Sequence, residues 1–346
     1  MYRIAMLAVA ITVLGGCQSG GGVANTRSNL YDGDRSVLYE VGKKGGSADQ
    51  AMAMAAAAYR AGDRDQALFQ YLRASELDPK RAEALIWVAR IHRERSNYAL
   101  ARMALDDVLE RDPQQLAALS ELGTLQIAQR QYEQATETLM QALRVDQQRL
   151  KTPAEEPPRV DDRSPMRLYN GLGVLADLRN DFSTAERYYR LALQVSPQSA
   201  LAANSLGYSR YLAGDWEGAY QAYRQALGAD AAYKPAWRNY GLLLARMGRY
   251  EEALSAFEQV GARAEASNDV GYVCLIEGKL SEAERFFRAA IDLAPAHYEV
   301  AAQNLRRVQQ VRNLRSRGGD ARTLQGPLVS VPAAEAGLLP VRQPQP

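Results

Sequence analysis

The chain has 346 residues, 47% of them hydrophobic, and its 42 basic and 40 acidic side chains leave a formal net charge of +2. That length and apolar content suit one to three globular domains or one long repeat array, and the interspersed charges give no basic surface that argues for nucleic acid. The two Cys and two His, Cys17, Cys274, His92 and His297, are too scattered for a convincing zinc set. No phosphate-cradling Gly loop, His-Glu metal motif or nucleophile elbow occurs, so no catalytic residue, metal or cofactor is expected.

Arg3 supplies a short positive region, Ile4 to Leu14 is apolar apart from Thr12, and Leu14-Gly15-Gly16 precedes Cys17. The apolar run is too short to span a bilayer. Leu14-Gly15-Gly16-Cys17 resembles a bacterial lipobox, which implies that residues 1–16 are a signal peptide and that Cys17 becomes the lipid-bearing first residue. Gln18, where an Asp would signal inner-membrane retention, implies outer-membrane sorting with the domain on the periplasmic face. Cys17 is then unavailable for a bridge and Cys274 stands alone, so no disulfide is expected. Residues 17–47, with Gly20-Gly21-Gly22 and Gly45-Gly46, read as a flexible tether.

One helical-hairpin pattern then repeats. Its first copy, Ala48 to Arg81, carries Met54, Ala55 and Ala58 on one helix, Gly62-Asp63 at the turn, and Ala67, Tyr71 and Ala74 on a second helix before Asp78-Pro79. The second, Ala82 to Gln115, has Leu85, Val88, Ala89 and His92, then Ala101, Leu105 and Val108 before Asp112-Pro113. Thirty-four residues separate Pro79 from Pro113. The third, from Leu116, has Leu122-Gly123, then Tyr132, Ala135, Leu139 and Ala142, with Gln147 where a closing Pro is expected.

The period then breaks by about sixteen residues, and Pro153, Pro157, Pro158 and Pro165 rule against a continuous helix, so residues 147–165 read as an inserted loop. Its acids, Glu155-Glu156 and Asp161-Asp162, suit a solvated linker or a partner contact, and the segment can act as a soft joint. The fourth copy, from Met166, has Leu172-Gly173, Phe182, Ala185 and Tyr189; the fifth, from Ala200, has Leu206-Gly207, Trp216, Ala219 and Tyr223. The sixth, from Lys234, has Trp237, Tyr240-Gly241, Gly248, Tyr250, Ala253 and Phe257, and is cut short by about four residues. The seventh has Val270-Gly271, Cys274, Gly278, Ala283 and Phe287 before Pro295. Val300, Leu305, Val308 and Val311 make one stripe of a capping helix over 298–316, and the Pro-rich residues 317–346 read as a disordered tail.

In large-small placement and period, Ala48 to Pro295 resembles the tetratricopeptide repeat (TPR) family, with Met54-Ala55 in the first copy departing from the usual Leu-Gly. The resemblance implies an all-α, right-handed superhelix (α-α solenoid) of about seven hairpins, in repeats 48–146 and 166–297, whose first helices line a concave groove. Positions spared by the core stripe are then Asn170, Asn204, Tyr208, Tyr211, Arg238, Asn239, Leu242, Asn268 and Tyr272, with Arg246 and Ile276 beside them. Successive amides beside tyrosines can hold an extended peptide. The alternative is that each Asn supports its own helix and each Tyr completes core packing. Trp216, Tyr250 and Phe182, at the entry of second helices, are expected to be buried between hairpins, and Cys274 and His92 to be core residues.

Asn268-Asp269-Val270-Gly271-Tyr272, followed by Glu277-Gly278-Lys279-Leu280, resembles the terminal repeats of TadD-type lipoproteins of the tight-adherence (Flp) pilus system. The implied function is a non-enzymatic, outer-membrane-tethered adaptor for pilus or secretion assembly, with envelope proteins such as secretin or pilus components as partners. Neither nucleic acid nor a small-molecule substrate is expected. Trp237-Arg238-Asn239-Tyr240-Gly241 also resembles pilotin-like lipoproteins of type IV pili, and a scaffold for cell-envelope complexes binding through the convex side is a further alternative.

Overall fold

A computed structural model describes residues 46–316. The signal segment, Cys17, the tether up to Gly45 and the tail from residue 317 lie outside the described residues. Among the described residues there are fifteen α-helices and no strand. In chain order these are α1 (Ala48–Arg60), α2 (Arg64–Leu77), α3 (Ala82–Glu94), α4 (Tyr98–Arg111), α5 (Leu116–Ala128), α6 (Tyr132–Arg149), α7 (Met166–Leu178) and α8 (Phe182–Val195). They continue as α9 (Ala200–Ala213), α10 (Trp216–Ala229), α11 (Lys234–Arg246), α12 (Tyr250–Phe257), α13 (Arg263–Ile276), α14 (Leu280–Leu293) and α15 (Glu299–Ser316).

The turn inside each hairpin is marked by one residue with positive φ: Gly62, Ser96, Arg130, Asn180, Gly214, Gly248 and Gly278. Successive differences in their numbers are 34, 34, 50, 34, 34 and 30, so the period of 34 is interrupted once by sixteen extra residues and once by a loss of four. Glycine enters this left-handed conformation without steric cost, and Asn with little. Ser96 and Arg130 hold it because the turn gives the backbone no alternative. Second helices start on carboxylate caps at several hairpins: Asp63 accepts from the Gln66 amide, Asp181 from Thr184 and Asp215 from Gly218. Each cap satisfies an N–H that the helix start leaves open, a contribution of about 1 kcal/mol.

The contact inside a hairpin is equally regular. A glycine of the first helix faces a large side chain sixteen residues later: Gly123 meets Leu139, Gly173 meets Tyr189, Gly207 meets Tyr223, Gly241 meets Phe257, and Gly271 meets Phe287. A Cβ added at these glycines would lie 2.4–2.9 Å from the partner side chain, so only glycine admits the approach. All five partners are buried, each removing roughly 1.5–3 kcal/mol worth of apolar surface from water.

By contact density the chain divides between Ala84 and Leu85. In the first part, α1 and α2 pack through small residues, with Ala51, Ala74 and Ala84 forming a buried cluster. Met54 departs from expectation: it is 50% exposed, and the helix instead buries Ala51 and Ala55. From Leu85 onward the hairpins share larger clusters, of which the last joins α11 to α14 with Val308 of α15. α15 buries Ala301, Asn304 and Val308 along one stripe and is tied to α14 by Arg312 to Glu284 at 2.6 Å, closing the apolar face that a further hairpin would cover.

The Pro-rich segment differs from a plain solvated linker. α6 runs on to Arg149, three residues into it. Beyond that, Gln147 both donates to the Arg159 carbonyl at 3.0 Å and accepts from the Arg159 amide at 2.9 Å. Arg149 forks onto Asp161 with two bonds of 2.7 Å while also reaching buried Asp146 at 2.6 Å. The Tyr169 hydroxyl of α7 donates to Asp146 at 2.6 Å. The loop is therefore docked, because its backbone and acids find partners on α6 and α7. α12 records the four-residue loss: it has eight residues where most second helices have fourteen.

Candidate functional site

In α7, α9, α11 and α13 the glycine that meets the second helix fixes which face of the first helix is left over. Three positions before it stand Asn170, Asn204, Arg238 and Asn268; one position after it stand Tyr208, Leu242 and Tyr272. With 3.6 residues per turn these positions share one face, and Tyr211, four after Gly207, extends it.

The three asparagines at the first position are buried, Asn170 at 7%, Asn204 at 0% and Asn268 at 1% exposure. Asn239 of α11 donates its amide to the Asn204 oxygen at 2.9 Å, and Asn304 of α15 donates to the Asn268 oxygen at 3.0 Å. These amides thus tie one first helix to the next. Asn170 Oδ1 and Asn204 Nδ2 have no hydrogen-bond partner among the described residues.

Above that floor lie half-buried aromatic and cationic groups. The Tyr208 and Tyr211 rings stack at 6.3 Å, Arg246 Nη1 donates to the Tyr211 hydroxyl at 3.0 Å, and Arg246 Nε reaches Glu277 at 2.9 Å. Hairpins five, six and seven are linked in this way. The Arg246 guanidinium also lies over the rings of Tyr211 and Trp216, 5.3 and 5.7 Å from their centroids. Burial, then Tyr211 and Asp177, push the Tyr208 hydroxyl up to about 12, so it stays a neutral donor and acceptor. Burial raises Tyr272 as well.

Beneath the tyrosines sits Asp177, 3% exposed, accepting from the Tyr189 hydroxyl at 2.7 Å and the Ser209 hydroxyl at 2.6 Å. Burial pushes its carboxyl up to about 6 against the pull of those two donors. At the far end of the face burial likewise raises Asp269 to about 6, opposed by Asn268 and Arg238. What the face offers is ring surface, amides and guanidinium groups. The buried Cys274 thiol is pushed up by its burial, which keeps it protonated and unreactive. Among the described residues no group of three or more His, Cys, Asp or Glu is placed to hold a metal ion.

Three profiles of one family, each described as tetratricopeptide repeat, match residues 92–152 and 210–271, residues 52–116 and 170–235, and residues 264–297. Together they span nearly all of the hairpins and leave out residues 153–169, most of the docked Pro-rich loop among them. The chain is a tetratricopeptide-repeat protein. Such repeats are generally non-catalytic protein-interaction modules. Over 135 residues it is 25% identical to the human "Cell division cycle protein 16 homolog", covering 35% of this chain and 22% of that protein. The crystal structure of the APC/C hetero-tetramer Cut9–Hcn1 is similar in fold, with a TM-score of 0.55 and 16% identity over 78% of this chain and 50% of that one. The chain therefore spans half or less of the length of these relatives. A structure of Pseudomonas aeruginosa PilF aligns over 76% of this chain and 96% of its own, with a TM-score of 0.41 and 16% identity.

The repeats bring some of the sequence-predicted residues together and not others. Asn204 with Asn239, and Tyr208 with Tyr211, form direct pairs. Asn268 bonds instead to Asn304 of the cap. Arg238, Leu242 and Tyr272 stand half-buried on the same face, while Cys17, the expected lipidation site, lies outside the described residues. At the second-helix entries Tyr250 is half-buried against Phe286 and Phe182 is half-buried, but Trp216 is 38% exposed, with the Arg246 guanidinium 5.7 Å from its ring centroid. Sequence reasoning missed Asp177, Glu277 and Glu121. A signal for Glu121 existed: it is a lone acid within Leu119-Ser120-Glu121-Leu122-Gly123.

Proposed function

We propose that this repeat array is held at the periplasmic face of an outer membrane through lipid on Cys17 and captures an extended segment of an envelope protein on the face of its first helices, in the service of pilus or secretion assembly. The observation that carries the reading is the row of half-buried Tyr208, Tyr211, Leu242 and Tyr272 on adjacent first helices, side chains that stand at the margin of the hairpin core and are only partly covered by it. A half-buried tyrosine gives a guest apolar surface and a hydroxyl at low cost in side-chain entropy. Burial of Asn204 and Asn268 shifts the pairing with a guest's backbone to half-buried Asn239, the tyrosine hydroxyls and Arg238. The lipobox-like Leu14-Gly15-Gly16-Cys17 supports the membrane tether, and the style of the seventh repeat supports the tight-adherence (Flp) system.

The test is capture of envelope partners by the full chain against a Tyr208→Ala, Tyr272→Ala, Arg238→Ala variant, with circular dichroism to show that the variant is folded. Loss of a pilus or secretin component is expected; undiminished capture by a folded variant refutes the groove. Cys17→Ser is expected to release the protein from the outer-membrane fraction, and retention there refutes the lipid anchor.

A further inference from the structure

Glu121 of α5 is 2% exposed, and three guanidinium groups converge on it. From α3, Arg90 reaches its Oε1 with Nη2 at 2.5 Å and Nε at 2.7 Å, and Arg93 Nε stands 3.7 Å from Oε2. From α7, across the docked loop, Arg167 Nε lies 3.3 Å from Oε1. Three positive charges thus share one carboxylate, an excess of two. The sharing is lopsided: Oε1 carries the short contacts, while among the described residues Oε2 accepts no hydrogen bond and Arg93 Nε and Nη2 donate none. Those two nitrogens form the edge that matches a carboxylate bidentately. Burial, then the neighbouring Arg167, lowers Arg93 from its ordinary value, as expected for crowded cations.

A nearly buried excess of cation is costly unless a counter-charge completes it. The acids nearby are spoken for or exposed. Asp161 and Glu156 of the loop pair with Arg149 and Arg159, and Glu94, beside Arg93, points to solvent with contacts of its own. Arg90 and Arg167, with side chains 20% and 23% exposed, leave the cluster open at its rim, and only Nε of Arg167 is engaged. We propose that this cluster is a receptor for one Asp or Glu side chain of an extended partner segment, so that the guest is recognised as acidic where it crosses hairpins two to four. The guest carboxylate takes over Arg167, which leaves Oε1 of Glu121 to Arg90, and Arg93 closes onto the neighbouring Oε2. This inference rests on the groove reading above and adds the chemistry of the guest.

The test is fluorescence anisotropy of the full chain with two short, end-capped, labelled peptides that contain tyrosine and differ only in a central Glu-Glu or Gln-Gln. The acidic peptide is expected to bind about tenfold or more tightly at low salt, the gain of one charge-assisted pair, with the advantage shrinking as salt rises. Arg167→Gln together with Arg93→Gln should erase the preference without lowering the melting temperature, since both cations are surplus to Glu121. A purely structural pair of arginines would do the reverse, and that result overturns the inference. Arg167→Lys, which keeps the charge but loses the fork, should retain part of the preference. Tyr208→Ala with Tyr272→Ala should weaken both peptides alike. Equal binding of the two peptides by the wild type overturns acidic recognition and leaves the groove standing; binding of neither refutes the groove and this inference with it. Full displacement by millimolar phosphate identifies a site for small anions and also overturns it.

Discussion

Gly173→Ala tests whether the hairpin contact is set by steric exclusion. An alanine Cβ there would lie 2.5, 2.7 and 2.8 Å from three atoms of the Tyr189 ring, distances that real Cβ contacts do not show. The ring cannot simply retreat, because its hydroxyl donates to Asp177 at 2.7 Å and the residue is 1% exposed. Overpacking of this kind costs about 1–3 kcal/mol, and loosening a hydrogen bond to a charged acceptor costs about 1.5–3 kcal/mol more. Alanine returns about 1 kcal/mol in helix propensity, so the net loss is about 1.5–5 kcal/mol. Gly228→Ala is the control: it is an exposed helical glycine with nothing within 4 Å of an added Cβ, and the same substitution there should stabilise by about 0.5–1 kcal/mol. Urea titrations followed by far-ultraviolet circular dichroism measure both. Equal midpoints for Gly173→Ala and the wild type, or equal losses at the two sites, would refute the steric account. A Gly173→Ala, Tyr189→Leu double variant that loses less than the sum of its singles would locate the clash on the ring.

Asp177 gives the protein a pH dependence of definite sign. Its folded carboxyl is raised to about 6, so the folded state holds the proton more tightly than the unfolded chain; its contribution favours folding below about pH 4 and is lost as pH rises through about 6. Two units correspond to at most about 3 kcal/mol, and Asp177→Asn should remove that slope from the urea midpoint between about pH 4 and pH 7; an unchanged slope rejects the assignment. Arg149→Met should free the Pro-rich loop, seen as faster proteolysis within 153–163 and faster amide exchange at Arg159, whose amide Gln147 holds. Wild-type rates in that variant would show that the Arg149–Asp161 fork does not secure the loop.

How much of this was legible depended on whether a feature was local or relational. Repeat number, the extra sixteen residues and the missing four follow from recurrent Gly and apolar positions, because every hairpin must solve the same turn and the same close approach. The candidate face was legible as a set of positions, since the glycine that marks the core side also marks its opposite. What each residue does there was not. Asn204 and Asn268 read as free amides until a second amide, 35 or 36 residues away, is known to reach them. Trp216 reads as buried from its place at a second-helix entry, yet it is 38% exposed, and Met54, which takes the register of the usual Leu, is 50% exposed while Ala51 and Ala55 are buried. Asp177 and Glu121 look like ordinary helix acids, and only packing shows that each is buried with partners from other helices.

The Pro-rich insertion shows why the distinction matters for binding. Four prolines argue for a break in the helix, and a break argues for a joint. Yet the same segment carries Arg159, Asp161 and Ser164, which with Gln147, Arg149 and buried Asp146 make a closed set of bonds around the Tyr169 hydroxyl. Tyr169 belongs to α7, and Arg167 two residues before it reaches back to Glu121 on α5. The chain detours through sixteen extra residues, but α7 is pinned twice, to α6 through the loop around Tyr169 and to α5 through Arg167 and Glu121. A splice of this kind carries the face of the first helices from hairpin three to hairpin four without a gap, and it places Arg167, the most available cation of the Glu121 cluster, where a segment crossing that junction would meet it.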